Sequence, residues 1–435
     1  NYHCDGLRLD MTKFMESDYT MKQIAAEVNY HKPDAFLIAE DGRSDRRVTT
    51  KINEHEAGLN ETEHCDSINR ISDFRTSLSE LGFDSEWDFD LFHTLNEALY
   101  GNTDIDALAG LSENSQGRVK YIMSHDEIGN FEGSRLIPKL MVPALNLNDN
   151  VILDEEDEKR ASDLQKLKHM GLMDAERTVL FQKAQLVSEK LAVLLQSGKL
   201  DKYSTEGLNE EQSENVNNAL YEEVLKPAGI RKNSGITYNR IENAYSKSYA
   251  KDKMAMARIY SVPGPVMVFQ GDEKADLTPF RFFREFESVP NEDYLYTEKG
   301  YKQGKSALNE SKPGNIKYGK EGKKNIKAAE KLTSDLNKLT TENPSLSKGR
   351  IVPEHSVKHP VSQVLGTHAI DDESGNETFT ITNFLDANYP REDAGEYYIQ
   401  FPKGQWIEVL TTDDEKYGGT GKYNNTDVIE SNGYG

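Results

Sequence analysis

Tyr2-His3-Cys4-Asp5-Gly6-Leu7-Arg8-Leu9-Asp10 is the stretch whose reading decides the fold. It predicts a short buried strand that carries an Arg and an Asp to its C-terminal tip. Ala35-Phe36-Leu37-Ile38-Ala39 predicts a second strand, which ends in Glu40 and Asp41. Val119 to Ser124 predicts a third, which ends in His125 and Asp126. Apolar strands that each end in a carboxylate describe a parallel sheet, and in parallel barrels ligands bind at the carboxyl ends of the strands.

Outward from these strands the chain alternates strand and helix as far as about residue 130, the pattern of a parallel sheet with right-handed crossovers. A helix is expected from Met11 to Asn29, with Phe14, Met15, Met21, Ile24, Ala25 and Val28 at helical spacing. Pro33 stops it. Residues 69–81 read as helical or irregular, Phe83 to Trp87 as a further strand end, and Phe92 to Tyr100 as a helix. The rhythm then breaks. The acidic run from Asp154 opens a long helical stretch to about Gly198, and a polar, Asn- and Glu-rich segment spans 205–225. We expect a helical insertion over about 136–255. The barrel resumes at Val262 to Gly271, a Lys/Gly/Ser-rich loop covers Lys302 to Lys324, and a helix from about Asn325 to Thr341 stops at Pro344. From Ile351 onward, Val361–Leu365, Thr378–Phe384, Tyr397–Phe401 and Trp406–Leu410 read as short strands between Gly, Asp and Asn turns, an all-β domain over 351–435.

Composition narrows the partners. Of the 435 residues, 52 are basic and 74 acidic, for a net charge of −22. That argues against nucleic acid, whose phosphates call for a basic excess. It suits a neutral substrate, and it is also what a well-solvated surface looks like. Two cysteines, Cys4 and Cys65, do not make a disulfide scaffold. No apolar run is long enough to span a membrane. No cofactor and no metal ligand set is expected.

The acids fit one chemistry. A retaining glycosidic reaction needs a nucleophilic carboxylate and a proton-donating carboxylic acid about 5 Å apart. Asp10 and Glu40 end consecutive strands, and neighbouring strands are about 4.8 Å apart. Arg8 stands two residues before Asp10, so on the same strand face, where its guanidinium holds Asp10 ionised. Glu40 must start the cycle protonated. Asp126 could hold sugar hydroxyls as the ring flattens, with His125 donating to them. Taken singly, each element has a plain alternative: an Asp-Gly turn, a structural ion pair at Arg8, a helix cap at His125-Asp126. Three strands with the same punctuation are much harder to obtain by accident.

At these residues the chain resembles the α-amylase superfamily, glycoside hydrolase family 13. Asp5 to Asp10 is similar to that family's second conserved region, Ile38 to Asp41 to its third, and Ser124 to Asn130 to its fourth. Gly264 to Glu273 is similar to its eighth-strand region, and Leu336 to Leu346 to its closing barrel helix. The resemblance implies an α/β fold: part of a (β/α)8 TIM barrel, strands four to eight, with the helical insertion, the catalytic portion running to about residue 350, and a C-terminal antiparallel β-sandwich. It implies Asp10 as nucleophile, Glu40 as acid/base and Asp126 as transition-state stabiliser, with Arg8, His125 and Trp87 on the substrate, an α-glucan. It also implies a cytoplasmic location. Tyr2-His3, the Ser124 to Asn130 stretch and Tyr417-Gly418-Gly419-Thr420 look most like the branching-enzyme members. Glu40 to Arg46 and Gly133 to Leu136 look more like malto-oligosyltrehalose trehalohydrolases.

Branching of an α-1,4-glucan through α-1,6 bonds is therefore the first functional expectation. Hydrolysis on the same scaffold is the second. A non-catalytic carbohydrate-binding relative is the third, against which the three intact acids stand. The family's first conserved region and first three strands have no counterpart here, so the sequence reads as a fragment of a longer protein. As such it is expected to be inactive and unstable alone, with strand 2–9 left at an edge.

Overall fold

The computed structural model describes residues 5–12, 18–41, 81–115, 117–129, 134–166, 175–278, 280, 316–385, 399–422, 425 and 427–433. Four parallel strands form its first sheet: β1 (Gly6–Leu9), β2 (Phe36–Ala39), β3 (Ser85–Trp87) and β4 (Arg118–Val119), in that spatial order. The register pairs Arg8 with Ile38, Ile38 with Ser85, and Trp87 with Val119. Period-two alternation therefore sorts the side chains into two faces. Leu37 and Ala39 face outward and pack on Met21 and Ala25 of helix Asp18–His31. Ile38, Trp87, Val119 and Tyr121 form a separate cluster on the other face, the face of Arg8. β1 is an end strand of this sheet, and Leu7 is 48% exposed.

Several elements differ from the sequence expectation, each for a visible reason. The first helix is described over Asp18–His31, and Met11 lies outside it. The backbone N–H groups of Met11 and Thr12 are spent on Glu40, on its carboxylate and its carbonyl respectively. Met11 also takes a left-handed conformation with φ 48°. Phe14 and Met15, and Cys4 and Cys65, lie outside the described residues.

The expected strand 119–124 is shorter. β4 ends at Val119, and Lys120 adds one parallel bridge to Val266. Beyond it the chain turns into a short helix, His125–Gly129, where the Glu127 carboxylate accepts from the Ser124 N–H at 2.7 Å. The expected strand within 262–271 is that single bridge. Lys120 is fully buried there and donates to the Pro263 carbonyl at 2.8 Å. Gly264, at φ +111°, is where a Cβ would stand 2.9 Å from that ammonium.

The helix after β3 spans Phe89–Leu99, three residues earlier than expected at its start, because Asp88 caps it by accepting from Leu91 N–H at 3.1 Å. Helix Ile105–Asn114 was not anticipated. Its cap, Asp104, and its buried Ile105, Leu108 and Ala109 are readable in the sequence. On the outer face of the sheet, Arg118 pairs with Glu86 at 3.0 Å inside the helix–sheet interface.

Between residues 136 and 260 the described elements are helical: Leu136–Ala144, Glu155–Lys166, Ala175–Gln196, Glu210–Leu220 and Tyr238–Tyr260 are the main ones. The long helix expected from Asp154 is thus two helices. Glu210–Leu220 opens on a capping box between Asn209 and Gln212. The motif residue Arg135 binds Asp272 at 3.0 Å, and Gly271, at φ +101°, leaves room for its guanidinium. Helix Lys320–Glu342 ends before Pro344, where the sequence placed its stop, but it begins inside the expected Lys-rich loop. Residues 69–80, 302–315, Tyr397 and Tyr398 lie outside the described residues.

The C-terminal part is antiparallel. β5 (Arg350–Ile351), β6 (Val357–His359), β7 (Val364–Asp371) and β8 (Asn376–Asn383) form one sheet, and β9 (Gly404–Trp406) with β10 (Ile429–Ser431) forms a second ladder. Trp406 of β9 meets His368 and Phe379 of the first sheet at 5.8 and 6.3 Å between ring centroids. A single core runs from the parallel sheet's helices into this part: Leu365, Phe384 and Tyr417 belong to the cluster of Leu95, Met256 and Leu332.

Candidate active site

β1 and β2 are adjacent and in register, so their tips arrive side by side. Arg8 Nη1 stands 3.0 Å from Asp10 Oδ1, and its Nη2 stands 2.5 Å from Glu40 Oε2. One guanidinium thus bridges the two acids. Glu40 is held further by the Met11 N–H at 3.0 Å, where the chain turns in a left-handed conformation. Beside it, Thr12 Oγ1 donates to Asp41 at 3.0 Å.

The two acids sit in different surroundings. The Glu40 side chain is 5% exposed and that of Asp10 is 70% exposed. Burial pushes the Glu40 carboxyl above its ordinary value. The Met11 N–H and the Arg8 charge pull it down, while Asp10 pushes it up again through its charge and a hydrogen bond. Burial prevails, so Glu40 is biased toward the protonated acid.

Trp87, expected against the substrate, is 4% exposed and lies under Arg8, whose guanidinium carbon is 4.3 Å from the ring centroid. The ring also meets His125 edge-on at 6.4 Å. His125 Nε2 stands 3.5 Å from Asp126 Oδ1, and both side chains are about one-third exposed. Arg8, Asp10 and Glu40 therefore form one cluster, His125 and Asp126 a second, and Trp87 touches a member of each. Arg8 covers the face of the Trp87 ring.

Sequence reasoning missed Tyr121. Its ring stacks on Phe92 at 4.6 Å and packs on Trp87 at 5.1 Å. Its hydroxyl is buried with no hydrogen-bond partner. Burial holds the phenol protonated, and the charges of Glu127, Glu40, Asp88 and Asp126 act in the same direction. The Tyr121 hydroxyl is thus within electrostatic reach of acids from both clusters. The signal was available: Tyr121 is two residues from Val119, on the same strand face. Among the described residues, no group of three or more His, Cys, Asp or Glu is placed to hold a metal ion. Nor is any helix among them long and apolar enough to cross a membrane.

Residues 371–435 match the family model of the alpha-amylase C-terminal all-beta domain. No curated protein sequence matches the chain. Two of the solved structures that resemble it show how far the likeness goes. The alpha-amylase of H. orenii is 11% identical with a TM-score of 0.39, over 88% of this chain and 51% of that one. A Glu-to-Gln variant of AmyP in complex with maltotriose is 11% identical with a TM-score of 0.42, over 99% of this chain and 61% of that one. The chain thus spans between half and two-thirds of the length of these proteins. The family-model match is confined to the C-terminal part of the chain.

Proposed function

We propose that this chain carries the reacting pair of a retaining, α-glucan-active enzyme of the α-amylase superfamily, and that its reaction is 1,4-α-glucan branching. The observation that carries the reading is the guanidinium shared by an exposed Asp10 and a buried Glu40. A retaining mechanism needs two carboxyls about 5 Å apart in opposite protonation states. A single planar cation between them supports that spacing, and unequal burial supports that difference. Asp10 attacks the anomeric carbon while Glu40 gives its proton to the leaving oxygen. Glu40, now ionised and facing Arg8, then takes the proton of the incoming hydroxyl as the glycosyl–Asp10 bond breaks. His125 and Asp126 hold sugar hydroxyls while the ring flattens.

In branching, the incoming hydroxyl belongs to a glucan and forms an α-1,6 bond; in hydrolysis it is water. The exposure of Asp10 favours the hydrolytic alternative, so both are carried. The reading includes a boundary near residue 350, an insertion over about 136–255 and a cytoplasmic location. Incubation of amylose with the longer protein from which this chain reads as a fragment decides between the outcomes. Branching lowers iodine absorbance without new reducing ends, hydrolysis lowers it with them, and no change in either signal removes the proposal.

A further inference from the structure

Arg8 reaches two acids with two different nitrogens, and they pull its guanidinium in different directions. Its third nitrogen, Nε, is buried and has no hydrogen-bond partner. Hydrogen bonding therefore does not fix the group along its remaining edge. What remains is its face, and that face lies over Trp87 at 4.3 Å. A cation over a tryptophan ring is attracted by the ring's quadrupole. The ring is itself immobilised: it is buried and packs on Tyr121 at 5.1 Å and Phe89 at 5.9 Å.

We propose that Trp87 is a positioning residue that acts through Arg8, its ring face holding the guanidinium between Asp10 and Glu40. This rests on the reading of Asp10 and Glu40 as the reacting pair. It assigns Trp87 no contact with sugar. A bulky aromatic at the tip of β3 is then explained by the cation above it. The edge contact to His125 makes the same ring a shared wall of the two clusters.

The test follows Glu40 itself, so it does not depend on turnover. In carbon-13 glutamate-labelled protein, the Glu40 resonance is assigned by its loss in Glu40→Gln and titrated. Because the Arg8 charge pulls the Glu40 midpoint down, Arg8→Met raises it. Trp87→Met fills much of the same space without a π face and is expected to raise it too. Trp87→Phe retains the wild-type midpoint. In the Arg8→Met background, Trp87→Met adds nothing, the signature of two residues acting as one unit. A wild-type or lowered midpoint in Trp87→Met, or an equal shift with and without Arg8, overturns the proposal.

Should Trp87→Met fail to fold, the chain's two tryptophans offer a second route. In a Trp406→Phe background, biosynthetic trifluorotryptophan weakens the Trp87 π face while nearly preserving its shape. The same upward shift is expected, and its absence is again fatal. Should the chain show the shift while the longer protein it reads as a fragment of converts no glucan, the functional reading would fall and the positioning role would stand. Protein that converts glucan without the shift would do the reverse.

Discussion

Arg8 stands closer to Glu40, at 2.5 Å, than to Asp10, at 3.0 Å, although Asp10 is its neighbour in sequence. The guanidinium is therefore shared between the two acids and is not a private partner of Asp10. Arg8→Ala removes a positive charge from a buried acid. We expect glucan turnover to fall by about two orders of magnitude or more, a loss of at least about 2.7 kcal/mol of transition-state stabilisation. Circular dichroism should show the fold intact, since Arg8 lies at the tip of β1. Turnover at the wild-type rate would remove Arg8 from the mechanism.

Glu40→Gln cannot donate a proton. General acid catalysis contributes about 10²–10⁴-fold, and that factor should be lost on amylose. A glucosyl substrate with an acidic leaving group, such as a fluoride, needs little protonation and should be hurt far less in the first step. Equal losses on both substrates would assign Glu40 another role.

His368 predicts acid sensitivity in the C-terminal part. It is buried, its Nδ1 lies 2.8 Å from His355 Nδ1, and its Nε2 lies 3.0 Å from Glu377. One of the two facing Nδ1 atoms must accept, so a second proton on His368 breaks that bond while His355 keeps its own. Burial lowers the His368 pKa from 6.5, outweighing the hydrogen bond it donates to Glu377 and that carboxylate's charge; His355 and Arg350 also lower it. A depressed folded-state pKa means the unfolded chain binds the proton more readily. The stability contribution is complete above pH 6.5 and is lost as pH falls from there through the folded-state value. Melting temperature should drop as pH falls below 6.5, and His368→Gln should flatten that slope. A slope unchanged in the variant would place the acid sensitivity elsewhere.

Asp252 predicts the opposite trend in the helical part. It is buried on helix Tyr238–Tyr260, and burial, then the Asp272 charge, push its pKa up from 3.8 to about 8 against the pull of Lys253 and Arg135. Lys253 is engaged elsewhere, donating to the carbonyls of Thr412 and Tyr417 at 3.0 Å. A raised folded-state pKa favours the folded state at low pH, and that advantage is lost as pH rises from about 4 to about 8. Asp252→Asn cannot ionise, so it should melt progressively higher than wild type across this window, by several degrees at pH 8. In domains of about 150–250 residues, 1 kcal/mol moves Tm by about 2–4 °C. A difference independent of pH would show that Asp252 is paired and ionised.

What the sequence determined by itself was the order of the chemistry along the chain: strands written as apolar runs, acids at their tips, and Arg8 one alternation before Asp10. These follow from period-two geometry, which is local and needs no partner. The stop before Pro344 and the switch to antiparallel strands after Ile351 were legible for the same reason, since proline and turn residues act on their own backbone. Only the tertiary structure decided the rest. The turn at Met11 exists because Glu40, 29 residues on, takes its N–H. β4 ends early because Lys120 reaches Pro263 across 143 residues. The different environments of Asp10 and Glu40, and the place of Trp87 beneath Arg8, depend on which strands lie side by side. Burial and desolvation are properties of that packing, and no local spacing encodes them.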